Sequence, residues 1–135
     1  MSFELTEQIQ RHLTEDPIAW LTTVTAGGNP VPRPIWFIWD GTTIEIYSLN
    51  TAARLANIRA NRHVSLHFNS AADGNDVVTI AGVAEAVAGQ VPLSKNSAYV
   101  TKYAARMRQF DIEAVDRDYD IIIRVVPKSA WCVPA

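Results

Sequence analysis

A chain of 135 residues fits one domain, residues 1–135, and buries one core. With 48% hydrophobic and 19% charged residues, its composition excludes a disordered chain. The net charge of -2 excludes the general electrostatic attraction on which nucleic-acid binding rests.

The opening residues, MSFELTEQIQRHLTED, predict an amphipathic helix with Leu5, Ile9 and Leu13 on its apolar face, ended by Pro17. They lack the basic start and apolar middle of a signal peptide, and no apolar run approaches membrane-spanning length. The β-branched stretch from Ile18 to Thr25 predicts a strand, and Ala26 to Asn29 a turn. Two further strands follow, Val31 to Trp39 and Thr42 to Leu49, joined by a tight Asp40-Gly41 turn. Pro30, Pro32 and Pro34 cannot donate to a ladder, so the first half of that first strand reads as an edge or a bulge. A helix is predicted from Thr51 to Ala60.

His63 to Phe68 alternates cleanly: Val64, Leu66 and Phe68 face one way, His63, Ser65 and His67 the other. Asp73 to Asp76 reads as a turn, and Val77 to Ala88 as a long strand with a bulge or bend at Gly82. Ser94 reads as the N-cap of a helix running to about Phe110, with Tyr99, Tyr103, Met107 and Phe110 along one side. Tyr119 to Val126 reads as the last strand, its Ile121-Ile122-Ile123 run fitting burial on both faces. The sum is an α+β, mainly β domain: six antiparallel strands curled into a split barrel with flanking helices.

Two groups of residues draw a functional reading. Ser48, Asn50, Thr51 and Arg54 lie where a strand runs into a helix N-terminus. Helix amides and hydroxyls there suit an anion, and Arg54 adds charge and paired donors. The alternative is a plain cap by Asn50 or Thr51 with Arg54 in water. Arg33 sits inside a strand, where it either reaches solvent along its stem or aims at a ligand. Trp36, Trp39, Tyr99, Tyr103 and Trp131 suit either a core or the wall of a planar ligand. His63 and His67 have no carboxylate in register, so no metal site is expected. The lone Cys132 excludes an internal disulfide and a Cys-based zinc cluster, and fits a reduced, cytoplasmic setting.

The order WLTTVT, a G-G-N-P turn, P-x-P-x-W-F-x-W-D-G, a strand ending in Y-S, a small-residue helix and R-H-V-S-L-H-F resembles a known superfamily. It is that of the flavin and deazaflavin oxidoreductases with a pyridoxamine-phosphate-oxidase-like split barrel. Within it the chain resembles the actinobacterial F-420-dependent branch. The resemblance runs from about Ile18 to Val126. It implies a homodimer with two cofactor sites at its interface, and hydride transfer between reduced coenzyme F-420 and an electron-poor small molecule. It assigns Ser48, Asn50, Thr51 and Arg54 to the cofactor phosphate. It assigns Arg33, Pro34, Ile35 and Trp36 to the tricyclic ring. Arg59, Arg62 and Lys102 become candidates to lead an acidic tail outward. FMN in place of F-420, or a non-catalytic protein that holds a cofactor or tetrapyrrole, are the alternatives.

Overall fold

A computed structural model describes residues 3–135. Helix α1 (Glu7–Glu15) opens the chain, capped by the Thr6 hydroxyl on the Ile9 amide. Ile9 and Leu13 are buried as expected, but Leu5 lies before the helix and is 44% exposed. Strands β1 (Ala19–Val24), β2 (Pro30–Ile35), β3 (Ile38–Trp39) and β4 (Ile44–Ser48) follow. Next come α2 (Ala53–Ala60), β5 (His63–His67) and β6 (Val77–Ala88). A 3-10 turn (Leu93–Lys95), α3 (Ser97–Met107), α4 (Ile112–Asp118) and β7 (Ile121–Val133) complete the chain.

The sheet has seven strands, not six, in the order β2-β1-β5-β6-β7-β4-β3, and every pairing is antiparallel. The expected single strand Val31 to Trp39 is two strands, and they form the two opposite edges of the sheet. Only Trp36 and Phe37 separate them, so Ile35 and Ile38 lie at most about 11 Å apart. The sheet therefore curls until its edges nearly meet, without closing by a hydrogen-bonded ladder.

Side chains explain the break. The Phe37 N–H donates to the Tyr103 hydroxyl at 2.9 Å, and the Phe37 carbonyl accepts from Lys102 Nζ at 3.0 Å. Both groups come from α3, and they satisfy the buried backbone where no neighbouring strand does. The Tyr103 hydroxyl in turn donates to the Pro17 carbonyl at 2.8 Å. Burial pushes its phenol up to about 12, so it stays a protonated pin. Lys102 also lies 3.5 Å from the centre of the Phe37 ring, and burial pulls its ammonium down to about 8.

The curled sheet wraps a core that includes Leu21, Ile44, Ile46, Leu66, Ile80 and Ile123, plugged by Ile9 and Leu13 of α1 and Leu55 and Ile58 of α2. Each such side chain contributes roughly 2 kcal/mol of burial. A second cluster covers the outer face of β3, β4 and β7: Ile38, Tyr47 and Ile122 pack under Tyr99, Tyr103 and Met107 of α3. Ile122 and Ile123 thus point to opposite faces, and both are buried, as the isoleucine run implies.

Other boundaries differ from expectation. The Asp40-Gly41 turn is a four-residue loop, because the Asp40 carboxylate accepts from the Thr42 and Thr43 amides. Although burial opposes it, these bonds hold that carboxyl down to about 2. The N-cap of α3 is Asn96, not Ser94, whose amide and hydroxyl bind Asp116 of α4 instead. Helix α3 stops at Met107, so Phe110 lies beyond it and is 49% exposed. Strand β7 runs on past Val126 to Val133 through Pro127. It does so because the register shifts at Gly82: Ala81 faces Ser129 and Gly82 faces Pro127, leaving Lys128 unpaired. A Cβ on Gly82 would meet the Val126 carbonyl at 2.8 Å, so the predicted bend is a close backbone approach.

Candidate functional site

A cavity of about 370 Å³ lies between the α3–α4 cover and the sheet. The end of β2 and the residue after it supply Pro34, Ile35 and Trp36. The end of β4 and the residue after it supply Tyr47, Ser48 and Leu49, and the first turn of α2 supplies Arg54. Tyr99, Met107, Phe110, Val115 and Tyr119 form the cover. The curl of the sheet is what brings residues 34–36 and 47–54 into one wall, because β2 and β4 are not neighbours in the ladder.

One end of the cavity is aromatic. Trp36 stacks on Tyr103 with centroids 4.4 Å apart and planes 3° from parallel. Phe110 meets it edge-on at 5.9 Å, and Tyr99 lies at 6.4 Å. Such a wall suits a flat conjugated molecule.

The other chemistry is cationic. Arg54 is the sole charged side chain on the cavity among the described residues. It is half-buried, and no carboxylate or hydrogen-bond acceptor of the described residues pairs with it. Burial works against its charge, Tyr119 partly offsets that, and Arg33 adds repulsion. A guanidinium stays charged regardless. The N-cap of α2 is Ala52, with no side-chain cap, so neither Asn50 nor Thr51 fills that role. At the start of α2 the Ala52 amide donates to the Leu49 carbonyl and the Leu55 amide to the Ala52 carbonyl, leaving the Ala53 and Arg54 amides without a backbone acceptor among the described residues. Ser48 is buried at 1% exposure and its hydroxyl rests on the Leu49 carbonyl at 3.1 Å.

Five of the sequence-derived candidates thus meet in one cavity: Pro34, Ile35, Trp36, Ser48 and Arg54. Arg33 lines a smaller neighbouring cavity of about 90 Å³, which Arg54 also borders. It is exposed, and its Nη1 donates to the Pro32 carbonyl at 2.8 Å. No buried charge therefore sits in the strand. Asn50 and Thr51 line neither cavity. The Asn50 side-chain amide donates to the Arg117 carbonyl and to Asp120, fastening the loop to the end of α4. Arg59 and Arg62 also lie off both cavities, and Lys102 turns inward to Phe37 rather than leading outward. The α4 contribution, Ile112 and Val115 with the adjoining Tyr119, was not among the sequence-derived site residues.

The fold is thus an open-edged antiparallel split barrel, with a cavity at its seam that carries an aromatic wall and one cation, Arg54. The chain belongs to the pyridoxamine 5'-phosphate oxidase family, whose model matches residues 5–129. Among solved structures, it is similar to a putative pyridoxamine 5'-phosphate oxidase from Listeria innocua. That likeness has 20% identity and a TM-score of 0.72, covering 98% of this chain and 100% of the other. An F420 reductase is similar at 24% identity and TM-score 0.68, covering 90% of this chain and 94% of the other. HutZ, the heme storage protein of Vibrio cholerae, is similar at 18% identity and TM-score 0.65, over 97% and 96%. At these identities the likeness is one of fold. No curated protein matches the chain significantly.

Proposed function

We propose that the cavity holds a flavin-type cofactor, first of all the deazaflavin coenzyme F-420, and that the protein is an oxidoreductase acting on an electron-poor small molecule. The observation that carries this reading is Arg54, a half-buried cation with no acidic partner among the described residues, beside the uncapped α2 N-terminus. A desolvated charge without a partner is costly to keep unless a ligand anion supplies one.

The residues fit such a molecule at both ends. Arg54, the α2 amides and the Ser48 hydroxyl would hold its phosphate. Trp36 and the neighbouring Pro34 and Ile35 would lie along its ring system. The bound cofactor supplies the hydride chemistry. The chain supplies position and dryness, since apolar and aromatic groups form most of the wall. The reading includes a second copy of the chain. The exposed apolar side chains of Phe110 and Ile112, at the cavity rim, would be covered by it.

Titration of one preparation with FMN and with F-420 tests the reading. F-420 is expected to bind at micromolar or tighter affinity, with protein from a host lacking it colourless. A yellow protein with flavin absorbance from that host would move the assignment to FMN. Tight haem binding without turnover of any acceptor would replace the oxidoreductase by a storage protein.

A further inference from the structure

All four tyrosines of the chain gather on the cavity or directly behind it. Two of them are pinned. Tyr47 donates to the Val91 carbonyl at 2.8 Å and accepts from Asn96, and Tyr103 is held by Phe37 and Pro17. Tyr99 differs. The residue is 2% exposed, yet its hydroxyl has no hydrogen-bond partner among the described residues. None of those residues has a side-chain nitrogen or oxygen that is both sealed from solvent and unpaired. The Tyr99 hydroxyl therefore opens on the cavity that its residue lines.

A hydroxyl that opens on a cavity with no partner among the described residues is a donor available to a ligand acceptor. The neighbourhood specifies that acceptor. The Tyr99 ring lies 6.4 Å from Trp36 and 5.1 Å edge-on to Tyr47, so the hydroxyl belongs to the aromatic part of the wall. The anion of the ligand is served elsewhere, by Arg54. We propose that the Tyr99 hydroxyl donates a hydrogen bond to a conjugated carbonyl of the planar molecule in the cavity, and selects for molecules that carry one. Burial, reinforced by Tyr103, Tyr47 and Tyr119, pushes the phenol well above its ordinary value. Tyr99 therefore remains a neutral donor and keeps its proton, which suits a neutral carbonyl.

The inference rests on the proposed reading only in taking the ligand to be planar and anionic. Anthraquinone-2-sulfonate and anthracene-2-sulfonate share frame and anion and differ in two ring carbonyls. Their binding, read by quenching of tryptophan fluorescence, isolates the carbonyl. The wild-type protein is expected to prefer the quinone by about tenfold, one hydrogen bond's worth. Tyr99→Phe should abolish that preference while leaving the melting temperature unchanged, because the lost hydroxyl bonds none of the described residues. Tyr119→Phe should retain it.

No preference in the wild type, a preference that survives Tyr99→Phe, or one that vanishes in Tyr119→Phe instead would overturn the assignment. So would a melting temperature lowered by several degrees in Tyr99→Phe. If FMN and F-420 fail to bind while the quinone preference follows Tyr99, the cofactor reading fails and this one stands. Where a cofactor does bind, a weakened Kd in Tyr99→Phe assigns the carbonyl to the cofactor ring. An unchanged Kd with a raised KM for a quinone acceptor assigns it to the substrate.

Discussion

The clamp beneath α1 and the wall of the cavity treat their polar groups in opposite ways. In the clamp, the imidazole of His12 is 3% exposed and both its nitrogens meet carboxylates, Asp16 at 2.6 Å and Asp76 at 2.9 Å. Asp76 also accepts from Gln8 and from Arg11. It holds a positive φ of 56°, and its N–H donates to the Pro134 carbonyl. Every charge there is spent on fixing α1 to the start of β6 and the end of β7. Around the cavity, Arg54 and the Tyr99 hydroxyl have no partner among the described residues. Internally satisfied groups make structure, whereas polar groups left open on a cavity are free to meet a ligand.

That contrast is broken most forcefully from the clamp side. His12→Ala removes a buried ring that packs on Phe68 at 5.2 Å and leaves two carboxylates facing an apolar hole. It should cost about 2 to 3 kcal/mol, a fall of several degrees in melting temperature, with ligand affinity unchanged. A melting temperature equal to that of the wild type would show that the clamp holds nothing. Arg54→Ala should do the reverse. Loss of a charged hydrogen bond to a ligand anion weakens binding by about 10- to 30-fold, while thermal stability stays level or rises because an unpaired charge has gone. An unaltered Kd for FMN, F-420 and the sulfonates together would remove Arg54 from the anion site.

The two regions were not equally legible in the sequence. The Ile9–Leu13 spacing of α1, the alternation of β5 and the bend at Gly82 are local signals, and the structure follows them, though not as far back as Leu5. That Ser48, Arg54 and Trp36 line one cavity was legible in part, because a strand-to-helix junction and an aromatic strand are recognisable from local residue types. The prolines of residues 30–34 do mark an edge. The split of 31–39 into both edges was hidden, since it depends on Tyr103 and Lys102 arriving from a helix more than sixty residues away. Helix α4 was hidden because it is seven residues long with no buried residue, held by Asp116 on Ser94 rather than by an apolar stripe. The clamp was invisible too: nothing local pairs His12 with Asp76.

The finest separation of the two regions uses pH. Burial opposes the charge on His12, but its hydrogen bonds to Asp16 and Asp76 outweigh that and raise its pKa above the ordinary 6.5. A raised folded pKa gives stability that is fully present below 6.5 and lost as pH rises through the folded value. Asp76 is depressed, chiefly by its hydrogen bond from His12 and then by those from Arg11 and Gln8. Its contribution is present above the ordinary 3.8 and lost as pH falls through the folded value. The clamp is thus complete between about 4 and 6.5. Lys102, pulled down to about 8, acts with the opposite sign, since its buried charge is relieved as pH rises past that value. A comparison at pH 5.5 and 7.5 lies below most of that effect. Urea midpoints should be lower at pH 7.5 than at 5.5, and His12→Ala should flatten the difference. Anthraquinone-2-sulfonate, which does not titrate in this range, should bind equally at both pH values, because Arg54 keeps its charge and Tyr99 its proton. A sulfonate affinity that fell in parallel with stability would mean that the clamp and the cavity act as one unit rather than two.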